Sequence, residues 1–457
     1  MPSKSIITSI HGKTSIPEVP SRRGAMFLFM LISLLIAPYA LGDPALEKIA
    51  SGLNIDDKEI SVSGISSGAF FAHQFHVVHS EHVMGAGIVA GGPYYCAEGS
   101  VLGALTRCSQ FGKFVEMTCA KFMERLGQED TNCDNDFPGA TEESRKRAQD
   151  SLKQARKENT LAGIGEDKIY LFRSLHDDMV PIGVMDTVDY FYQGAGVKEG
   201  NIEYNKTFPA RHSMVRDSYD KPGEDAVTDC AVPPASPPST AEDTFIHDCQ
   251  SQALEERENH GCPSDDPKKQ EKCADLEDVD LAGAILKHIY GHSIRQWNGR
   301  KIVDEDKEVQ PFDQRKVFKG FSDDPHNDLQ LASMAREGYI FVPKACDEGK
   351  ECKLHIAFHG CLQGGRTDDR IGKSGNLYAK YAGYNEWAKG NNIVVLYPQV
   401  ENRNMPPPLN PMGCWDWWGE AYTGENYHTR EAPQMKAVAH MINILVDGNL
   451  LEVSGGR

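Results

Sequence analysis

Positive charge is scarce in this sequence of 457 residues. Lysine and arginine number 48 against 66 aspartate and glutamate residues, which gives a formal net charge of −18, and no long basic run occurs. Proteins that bind nucleic acid or an anionic membrane surface contact phosphate through basic patches. The composition therefore argues against nucleic acid as a partner and favours a soluble protein.

The sequence also lacks an apolar run long enough to span a membrane comfortably. Its most apolar stretch, Ala25 to Ala37, follows two arginines and precedes the small-residue pattern Ala40-Leu41-Gly42. This arrangement is typical of a secretory signal peptide. We predict that residues 1–42 are a signal peptide with an N-terminal extension and that cleavage precedes Asp43. The protein is then secreted to the extracellular space or the periplasm, without stable membrane insertion.

Motifs for metal binding are missing as well. No Cys-x-x-Cys pair occurs, and such pairs are typical of structural zinc sites. His73, His76 and His79 share helical spacing, but no carboxylate or cysteine nearby completes a set of metal ligands. We interpret them as helix-surface histidines, and the sequence predicts neither a metal nor another cofactor.

The 12 cysteines fit an exported protein, because an even number in an oxidising compartment favours disulfides. Sequence alone does not establish their connectivity. The spacing suggests that neighbours pair, which leaves the last two cysteines for each other: Cys96 with Cys108, Cys119 with Cys133, Cys230 with Cys249, Cys262 with Cys273, Cys346 with Cys352, and Cys361 with Cys414.

The most informative stretch runs from Glu59 to His76. Its alternating apolar residues predict the end of a strand, and a helix is predicted from Ala69 onward. Between them lies Gly64-Ile65-Ser66-Ser67-Gly68, in which glycines suit a turn too sharp for flanking side chains. Such a turn presents Ser66 beside the N–H groups of a helix N-terminus. The pattern indicates a serine nucleophile, although an ordinary strand-to-helix turn explains the motif alone equally well.

Two later strands lead to an acid and a base. A buried strand is predicted from Lys168 to Ser174, and Asp177 and Asp178 follow it. A second strand is predicted from Asn201 to Phe208, and it leads to His212. An α/β enzyme presents its chemistry beyond the carboxyl ends of parallel strands, and the order Ser, Asp, His is that of α/β-hydrolases. Asp177 is the candidate that orients His212. Asp178 is the alternative, and both could simply cap the following helix.

The fourth element of the predicted site comes late in the chain. Lys353 to Phe358 predicts a buried strand that ends in His359-Gly360-Cys361, which is how α/β-hydrolases begin the loop that supplies one N–H of the oxyanion hole. That loop usually precedes the nucleophile, whereas here it follows Ser66. We therefore predict a circularly permuted α/β-hydrolase with a mostly parallel central sheet, helices on both faces and loops held by disulfides.

Residues 43–457 are predicted to form a single catalytic domain. Two irregular insertions that contain cysteines, about 93–167 and 217–278, belong to this domain, and the sequence shows no separate substrate-binding domain. Within the first insertion, the strongly charged segment from Glu142 to Glu158 is predicted to be a surface helix.

These motifs together resemble those of the secreted poly(3-hydroxybutyrate) depolymerases and related esterases, whose catalytic domain is a circularly permuted α/β-hydrolase. The resemblance covers nearly all of the predicted mature chain. It rests on seven marks: GISSGAFFAHQ (Gly64 to Gln74), AGGPYYCA (Ala90 to Ala97), HDDMVP (His176 to Pro181), His212, LHIAFHGCLQGG (Leu354 to Gly365), VVLYPQ (Val394 to Gln399) and NPMGCWDWWG (Asn410 to Gly419).

The resemblance implies a role for each of six residues in the hydrolysis of a polyester or oligoester. These are Ser66 as nucleophile, His212 as base, Asp177 as its orienting acid, the backbone N–H groups of Ser67 and Cys361 as the oxyanion hole, and Trp415 as a wall of the subsite beside the serine. A disulfide between Cys361 and Cys414 would fix that wall against the oxyanion loop.

Two departures from the family narrow the expected substrate. The insert between Gln250 and Lys272 looks long for the family, and no substrate-binding module follows the catalytic domain, which favours amorphous polymer or soluble oligomers. Two alternatives stay open. A secreted esterase for feruloyl or acetyl esters of polysaccharides would use the same triad, and a non-catalytic binding protein could retain the hydrolase scaffold.

Overall fold

The structure is a computed structural model that describes residues 43–109, 141–158, 161–216, 228–229, 245–249, 280–291, 293–295, 309–319, 323–365, 376–405, 407–420 and 422–453. The predicted signal peptide and the charged insert between Gln250 and Lys272 lie outside these residues. So do five of the cysteines assigned to disulfides: Cys119, Cys133, Cys230, Cys262 and Cys273.

Strands and helices alternate through the described residues. The strands are β1 (Asn54–Ile65), β2 (Gly85–Val89), β3 (Lys168–Phe172), β4 (Ile202–Asn205), β5 (Met214–Arg216), β6 (Thr228–Asp229), β7 (Ile246–Asp248), β8 (Val309–Asp313), β9 (Glu337–Phe341), β10 (Glu351–Phe358) and β11 (Ile393–Tyr397). The helices are α1 (Leu46–Ala50), α2 (Ser67–Val78), α3 (Val101–Gly103), α4 (Thr141–Lys157), α5 (Ile182–Ala195), α6 (Leu281–Tyr290), α7 (Gln314–Phe318), α8 (Pro325–Leu331), α9 (Lys344–Asp347), α10 (Leu377–Tyr381), α11 (Tyr384–Asn391) and α12 (Pro433–Leu445). A π-helical turn, Ala104–Cys108, continues α3.

Eight strands form the central sheet, in the order β4-β3-β2-β1-β10-β11-β9-β8. Among these strands, β9 alone runs antiparallel to its neighbours, and the other pairs are parallel. The predicted mostly parallel α/β sheet is confirmed. A second, small sheet of β5, β7 and β6 follows the loop after β4.

The path of the chain through the sheet confirms the circular permutation. The chain enters the sheet at its middle with β1 and adds β2, β3 and β4 toward one edge. It then crosses to the opposite edge and supplies β8 to β11, so that β10 pairs in parallel with β1, with Gly64 opposite Phe358. The strand that leads to the oxyanion loop therefore lies beside the strand that leads to Ser66.

Apolar side chains cover both faces of the sheet. One core cluster joins Val62 of β1 to residues of α2, α5 and α12. The other joins Ile65 to residues of α6, α10 and α11. Because both faces are covered, the central strands are buried and apolar, as parallel sheets require. No helix in the described part of the chain is long and apolar enough to cross a membrane.

Helix α2 is buried on every side, and this overturns one interpretation of the sequence. All of its residues are buried, so His73 and His76 within the helix and His79 after it are core histidines rather than helix-surface ones. His76 contacts the hydroxyl of Tyr192 at 2.9 Å and a carboxylate oxygen of Asp167 at 3.0 Å. The helix packs on the sheet, and its histidines contact Phe191 and Tyr192 of α5. Helical spacing alone does not reveal that second contact surface.

Disulfides hold the loops, as predicted. Three of the suggested pairs are present, Cys96 with Cys108, Cys346 with Cys352, and Cys361 with Cys414. Cys249 is also disulfide-bonded. The charged segment of the first insertion forms helix α4, and its residues Ala148, Leu152 and Ala155 pack into the core.

Candidate active site

Ser66 lies in the turn that joins β1 to α2. Its backbone has φ 55° and ψ −125°, a conformation that is uncommon for a residue other than glycine and that clusters at functional sites. The turn is tight enough to require its glycines, because a Cβ on Gly64 would lie 2.3 Å from the carbonyl oxygen of Gly68. A Cβ on Gly68 would lie 2.4 Å from the carbonyl oxygen of His359. The nucleophile turn and the oxyanion loop therefore pack backbone against backbone.

Backbone hydrogen bonds step across the carboxyl ends of four strands. The N–H of Ser66, directly after β1, donates to Val89 O at the end of β2 (3.0 Å). The N–H of Ala90, directly after β2, donates to Phe172 O at the end of β3 (2.8 Å). The N–H of Arg173 continues the series by donating to the last residue of β4 (3.0 Å). The loops that carry Ser66, Asp177 and His212 thus begin at one edge of the sheet.

Asp177 and His212 form a buried pair. Nδ1 of His212 lies 3.0 Å and 3.1 Å from the two carboxylate oxygens of Asp177. His212 is 3% exposed and Asp177 is 5% exposed. Oδ1 of Asp177 also accepts hydrogen bonds from the backbone N–H groups of Met179 and Val180, each at 2.9 Å. The neighbouring Asp178 faces Arg211 instead, at 3.5 Å.

The electrostatics of this pair keep the acid ionised. Burial raises the pKa of Asp177, but the charge and hydrogen bond of His212, the N–H of Val180 and the charge of Arg173 lower it, and the pKa ends below its ordinary value. A carboxylate that stays charged at neutral pH can hold the imidazole in one tautomer and stabilise its protonated form.

Arg173 is a residue that the sequence analysis missed. Its guanidinium donates to the carbonyl oxygens of Leu175 (3.2 Å), Asp177 (2.8 Å) and Val180 (3.3 Å), and the side chain is buried. One side chain therefore fixes the loop that carries the acid. A charged residue directly after a buried strand was the available signal.

A cavity of about 230 Å³ opens at Ser66. Ser67 and Cys361 line it beside Ser66, and most of the other lining side chains are apolar, among them Phe70, Leu105, Met179, Met412, Trp417 and Trp418. An apolar cavity beside a nucleophile suits an apolar acyl group. Segment 101–109, which Cys96–Cys108 closes, supplies part of one wall.

The structure corrects the assignment of Trp415 as the wall of the subsite. Its side chain is fully buried at 0% exposure, stacks on Phe71 with ring centroids 4.6 Å apart and meets Phe358 at 5.0 Å. It therefore supports the cavity from the core, and the neighbouring Trp417 and Trp418 line the cavity instead. Three tryptophans within four positions carry no sequence signal that separates these roles.

The backbone amides of Ser67 and Cys361 are the ones predicted to form the oxyanion hole, and both residues line the cavity at Ser66. Ser67 is the first residue of α2, and the N–H groups of a first helical turn have no acceptor within the helix. Cys361 follows β10 and is bonded to Cys414, with Cα atoms 4.2 Å apart. The adjacent Leu362 N–H donates to Met412 O at 2.8 Å. The disulfide and this hydrogen bond therefore both join the loop after β10 to the segment Asn410 to Gly419, which carries the three tryptophans.

The contacts of the described residues join His212 to Asp177 but include no hydrogen bond between Ser66 Oγ and the imidazole. No group of three or more His, Cys, Asp or Glu residues in the described ranges is arranged to hold a metal ion. Ser66, Ser67 and Cys361 line the apolar cavity, and the paired Asp177 and His212 lie beyond the same edge of the sheet.

Comparisons with known proteins agree with this geometry. No profile of a known protein family matches the chain. The chain is 31% identical over 399 residues to "Poly(3-hydroxybutyrate) depolymerase" of Delftia acidovorans, a match that covers 87% of this chain and 61% of that protein. It is 26% identical over 404 residues to "Polyhydroxybutyrate depolymerase" of Talaromyces funiculosus, covering 86% of this chain and 91% of that protein. The chain thus spans about three fifths of the length of the Delftia relative.

Solved structures show the same fold. PHB depolymerase from Penicillium funiculosum superposes with a TM-score of 0.58 at 24% identity, covering 89% of this chain and 98% of that one. A variant PHB depolymerase complexed with an R3HB trimer superposes with a TM-score of 0.59, also at 24% identity and with the same coverage. The chain therefore shares the fold of these solved structures and is similar in sequence, over most of its own length, to poly(3-hydroxybutyrate) depolymerases.

Proposed function

We propose that this protein is a secreted serine esterase that hydrolyses ester bonds of poly(3-hydroxybutyrate) or its oligomers. The observation that carries the proposal is the buried pair of Asp177 and His212, which lies at the same sheet edge as Ser66 and its apolar cavity. Residues 43–457 form a single catalytic domain in this proposal, and residues 1–42 direct secretion.

The proposed reaction proceeds through an acyl-enzyme intermediate. Ser66 Oγ attacks the ester carbonyl while His212 removes its proton, because a neutral hydroxyl is a weak nucleophile. The C–O bond of the ester breaks, and His212 returns the proton to the leaving alcohol. Water then attacks the acyl-enzyme, again with His212 as base, and releases the 3-hydroxyacyl product and Ser66.

Each remaining group stabilises a charge that develops on this path. Asp177 holds the Nδ1–H of His212, so Nε2 is the nitrogen that exchanges protons with Ser66. The N–H groups of Ser67 and Cys361 bind the oxyanion of the tetrahedral intermediate. The hydrogen bond from Ser66 to His212 forms when substrate orders the site, since such contacts are often loose in a free enzyme.

The cavity supports a small apolar acyl unit. A 3-hydroxybutyryl group presents a methyl group and a methylene beside its ester, and side chains such as Leu105, Met179 and Met412 offer matching apolar surface. The R3HB trimer bound to a protein of the same fold supports such an oligomer as the substrate class.

Substrate panels and one substitution test the proposal. We expect the protein to release 3-hydroxybutyrate from its trimer and from amorphous polymer faster than it releases ferulate or acetate from matched polysaccharide esters. Ser66→Ala should reduce hydrolysis to background, and a fluorophosphonate probe should label the wild-type chain at Ser66.

Ser109→Ala is the matched control, because Ser109 also lines the cavity while its hydroxyl donates to Ala104 O at 2.9 Å. This variant should retain hydrolysis within about threefold, since the hydroxyl that it removes is already bonded to Ala104 O. Undiminished turnover in Ser66→Ala, or a clear preference for ferulate or acetate esters, contradicts the proposal.

A further inference from the structure

Buried side chains hold the two peptide groups that meet at Gly360, which directly precedes Cys361. Nδ1 of His359 lies 2.7 Å from the carbonyl oxygen of Gly360. The N–H of Gly360 donates to Oε1 of Gln363 at 2.6 Å. His359 is fully buried and Gln363 is 7% exposed, and neither lines the cavity at Ser66.

The second nitrogen of His359 fixes the tautomer of the ring. The backbone N–H of Val400 points at Nε2 from 3.2 Å, and because an N–H only donates, Nε2 must accept. The proton is therefore on Nδ1, which donates to Gly360 O. Burial lowers the pKa of His359 to about 4, so the ring stays neutral at neutral pH and keeps this tautomer.

The hydrogen bond from His359 determines where the Cys361 N–H points. The carbonyl of Gly360 and the N–H of Cys361 belong to one planar peptide group, which is trans here, and in a trans peptide these two bonds point in opposite directions. Holding the carbonyl toward the imidazole therefore turns the Cys361 N–H away from it. A Cβ placed on Gly360 would lie 3.3 Å from the Cβ of Ser66, so this peptide group is next to the nucleophile.

We propose that His359 and Gln363 form a clamp on the two peptide groups that meet at Gly360. His359 sets the plane of the Gly360–Cys361 peptide, Gln363 holds the His359–Gly360 peptide before it, and together they aim the Cys361 N–H at the oxyanion. Both are positioning residues, since they act through the peptide and not on the substrate. Gln363 extends the clamp toward the base: its Nε2 donates to Phe245 O at 3.5 Å, and the Phe245 ring meets the His212 imidazole edge to face, with centroids 6.1 Å apart. The proposal rests on the function proposed above.

Two substitutions at His359 separate its two hydrogen bonds. Asparagine carries an amide nitrogen at the position of Nδ1, so His359→Asn can still donate to Gly360 O. Glutamine reaches the position of Nε2, so His359→Gln can still accept from Val400 but not orient the peptide. His359→Phe removes both contacts, and thermal melting of each variant shows which of them remain folded.

Kinetics with a 3-hydroxybutyrate ester then report on the clamp. Loss of one oxyanion donor lowers kcat by about a hundredfold to a thousandfold, so we expect His359→Gln and His359→Phe to lose about a hundredfold in kcat with KM changed by less than about threefold. His359→Asn should stay within about tenfold of the wild type. A boronate inhibitor, whose tetrahedral adduct places an oxygen in the oxyanion hole, should bind more weakly by the same factor as kcat/KM falls.

Gln363 supplies a second, independent pair. Gln363→Glu keeps an acceptor for the Gly360 N–H, whereas Gln363→Met of similar length does not, so the methionine variant should show the larger loss of kcat. Equal losses in the Asn and Gln variants of His359, losses confined to KM, or unchanged boronate affinity would overturn the clamp.

A fluorophosphonate keeps the clamp and the proposed function distinguishable. If the wild-type chain is labelled at Ser66 but hydrolyses no 3-hydroxybutyrate ester, the proposed substrate is wrong, and the labelling rates of the His359 variants decide on the clamp. If the wild-type chain is not labelled at all, both proposals are wrong.

Discussion

His212 Nδ1 lies 3.0 Å from a carboxylate oxygen of Asp177, although 35 positions separate the two residues. The loops that carry them follow adjacent parallel strands and are joined side by side. Ser174 Oγ donates to Arg211 O at 2.7 Å, and the His176 N–H donates to Ala210 O at 3.1 Å. The sheet and these cross-loop bonds fix the acid and base pair before any substrate arrives.

Replacing the acid with its amide tests the role of this pair. In Asp177→Asn the side chain keeps its shape but can stabilise the wrong tautomer of His212, and in serine proteases the equivalent change lowers kcat about ten-thousandfold. We expect a loss of similar order, about a thousandfold or more, measured as kcat for 3-hydroxybutyrate oligomers.

Asp178→Asn is the control for that experiment, because Asp178 differs from Asp177 in facing Arg211 and not His212. It should retain kcat within about threefold, since the contact of Asp178 with Arg211 does not include His212. A larger loss of kcat in Asp178→Asn than in Asp177→Asn would show that Asp178, and not Asp177, orients His212.

We predict that Trp415 contributes mainly to stability and Trp418 mainly to substrate binding. Trp415→Ala empties a fully buried site and should reduce the free energy of unfolding by about 3 to 5 kcal/mol. Trp418→Ala removes a partly exposed side chain that lines the cavity, and we expect it to lower kcat/KM for oligomers about tenfold, the equivalent of roughly 1.4 kcal/mol.

Urea unfolding and steady-state kinetics on both tryptophan variants check these expectations. The urea concentration at the midpoint of unfolding should fall less in Trp418→Ala than in Trp415→Ala. If Trp415→Ala unfolds like the wild type but loses substrate affinity, the corrected position of Trp415 is wrong.

The disulfide between Cys361 and Cys414 should support catalysis as well as stability. It joins two cavity-lining residues across 53 positions, and loop closure of that length is worth roughly 4 kcal/mol in the chain-entropy account. A double alanine variant should lose both stability and at least about tenfold in kcat, since small displacements at a reacting centre reduce rates strongly.

The disulfide between Cys346 and Cys352 gives the matched comparison. It closes only 6 positions, worth about 2 kcal/mol in the same account, and it lies at the start of β10, at the end of the strand opposite the oxyanion loop. Its double alanine variant should keep kcat within about twofold of the wild type. Equal losses of kcat in the two variants would show that Cys361–Cys414 contributes stability alone.

Buried histidines predict how stability depends on pH. Burial lowers the pKa of His79 from 6.5 to about 3, so between these pH values the unfolded chain binds more protons than the folded one. The free energy of unfolding therefore falls as the pH drops below about 6.5, by up to about 1.4 kcal/mol per pH unit for one such group.

Removing that histidine should flatten the dependence. We expect His79→Leu to lose about 2 kcal/mol less stability than the wild type between pH 7 and pH 4.5, measured by urea unfolding at both pH values. Because each protein is compared with itself at the two pH values, a difference in stability between His79→Leu and the wild type at pH 7 does not affect the result. An unchanged slope would show that His79 is protonated in the folded protein.

Local patterns in the sequence predicted the central features of the fold. A strand that stops at Gly64, one that stops before Asp177 and one that leads to Cys361 are short-range signals, because burial and alternation are properties of neighbouring residues. The order of these elements then determined which strands adjoin, and the sheet agrees with that order.

The features that sequence analysis missed depend on contacts between distant residues. Trp415 is buried because Phe71 and Phe358 enclose it. His73 and His76 of α2 are buried where they contact Phe191 and Tyr192 of α5. The tautomer of His359 depends on Val400, which lies on a different loop. No local pattern records such partners, so roles of this kind become visible only with coordinates.

The permuted order also sets the timing of assembly. The ribosome releases β1 and Ser66 well before β10, which must pair with β1. Until then the emerging polypeptide holds a serine without the amide of Cys361. If the proposed function is correct, a chain that stops before β10 holds Ser66 without the second oxyanion amide and should cleave esters only weakly.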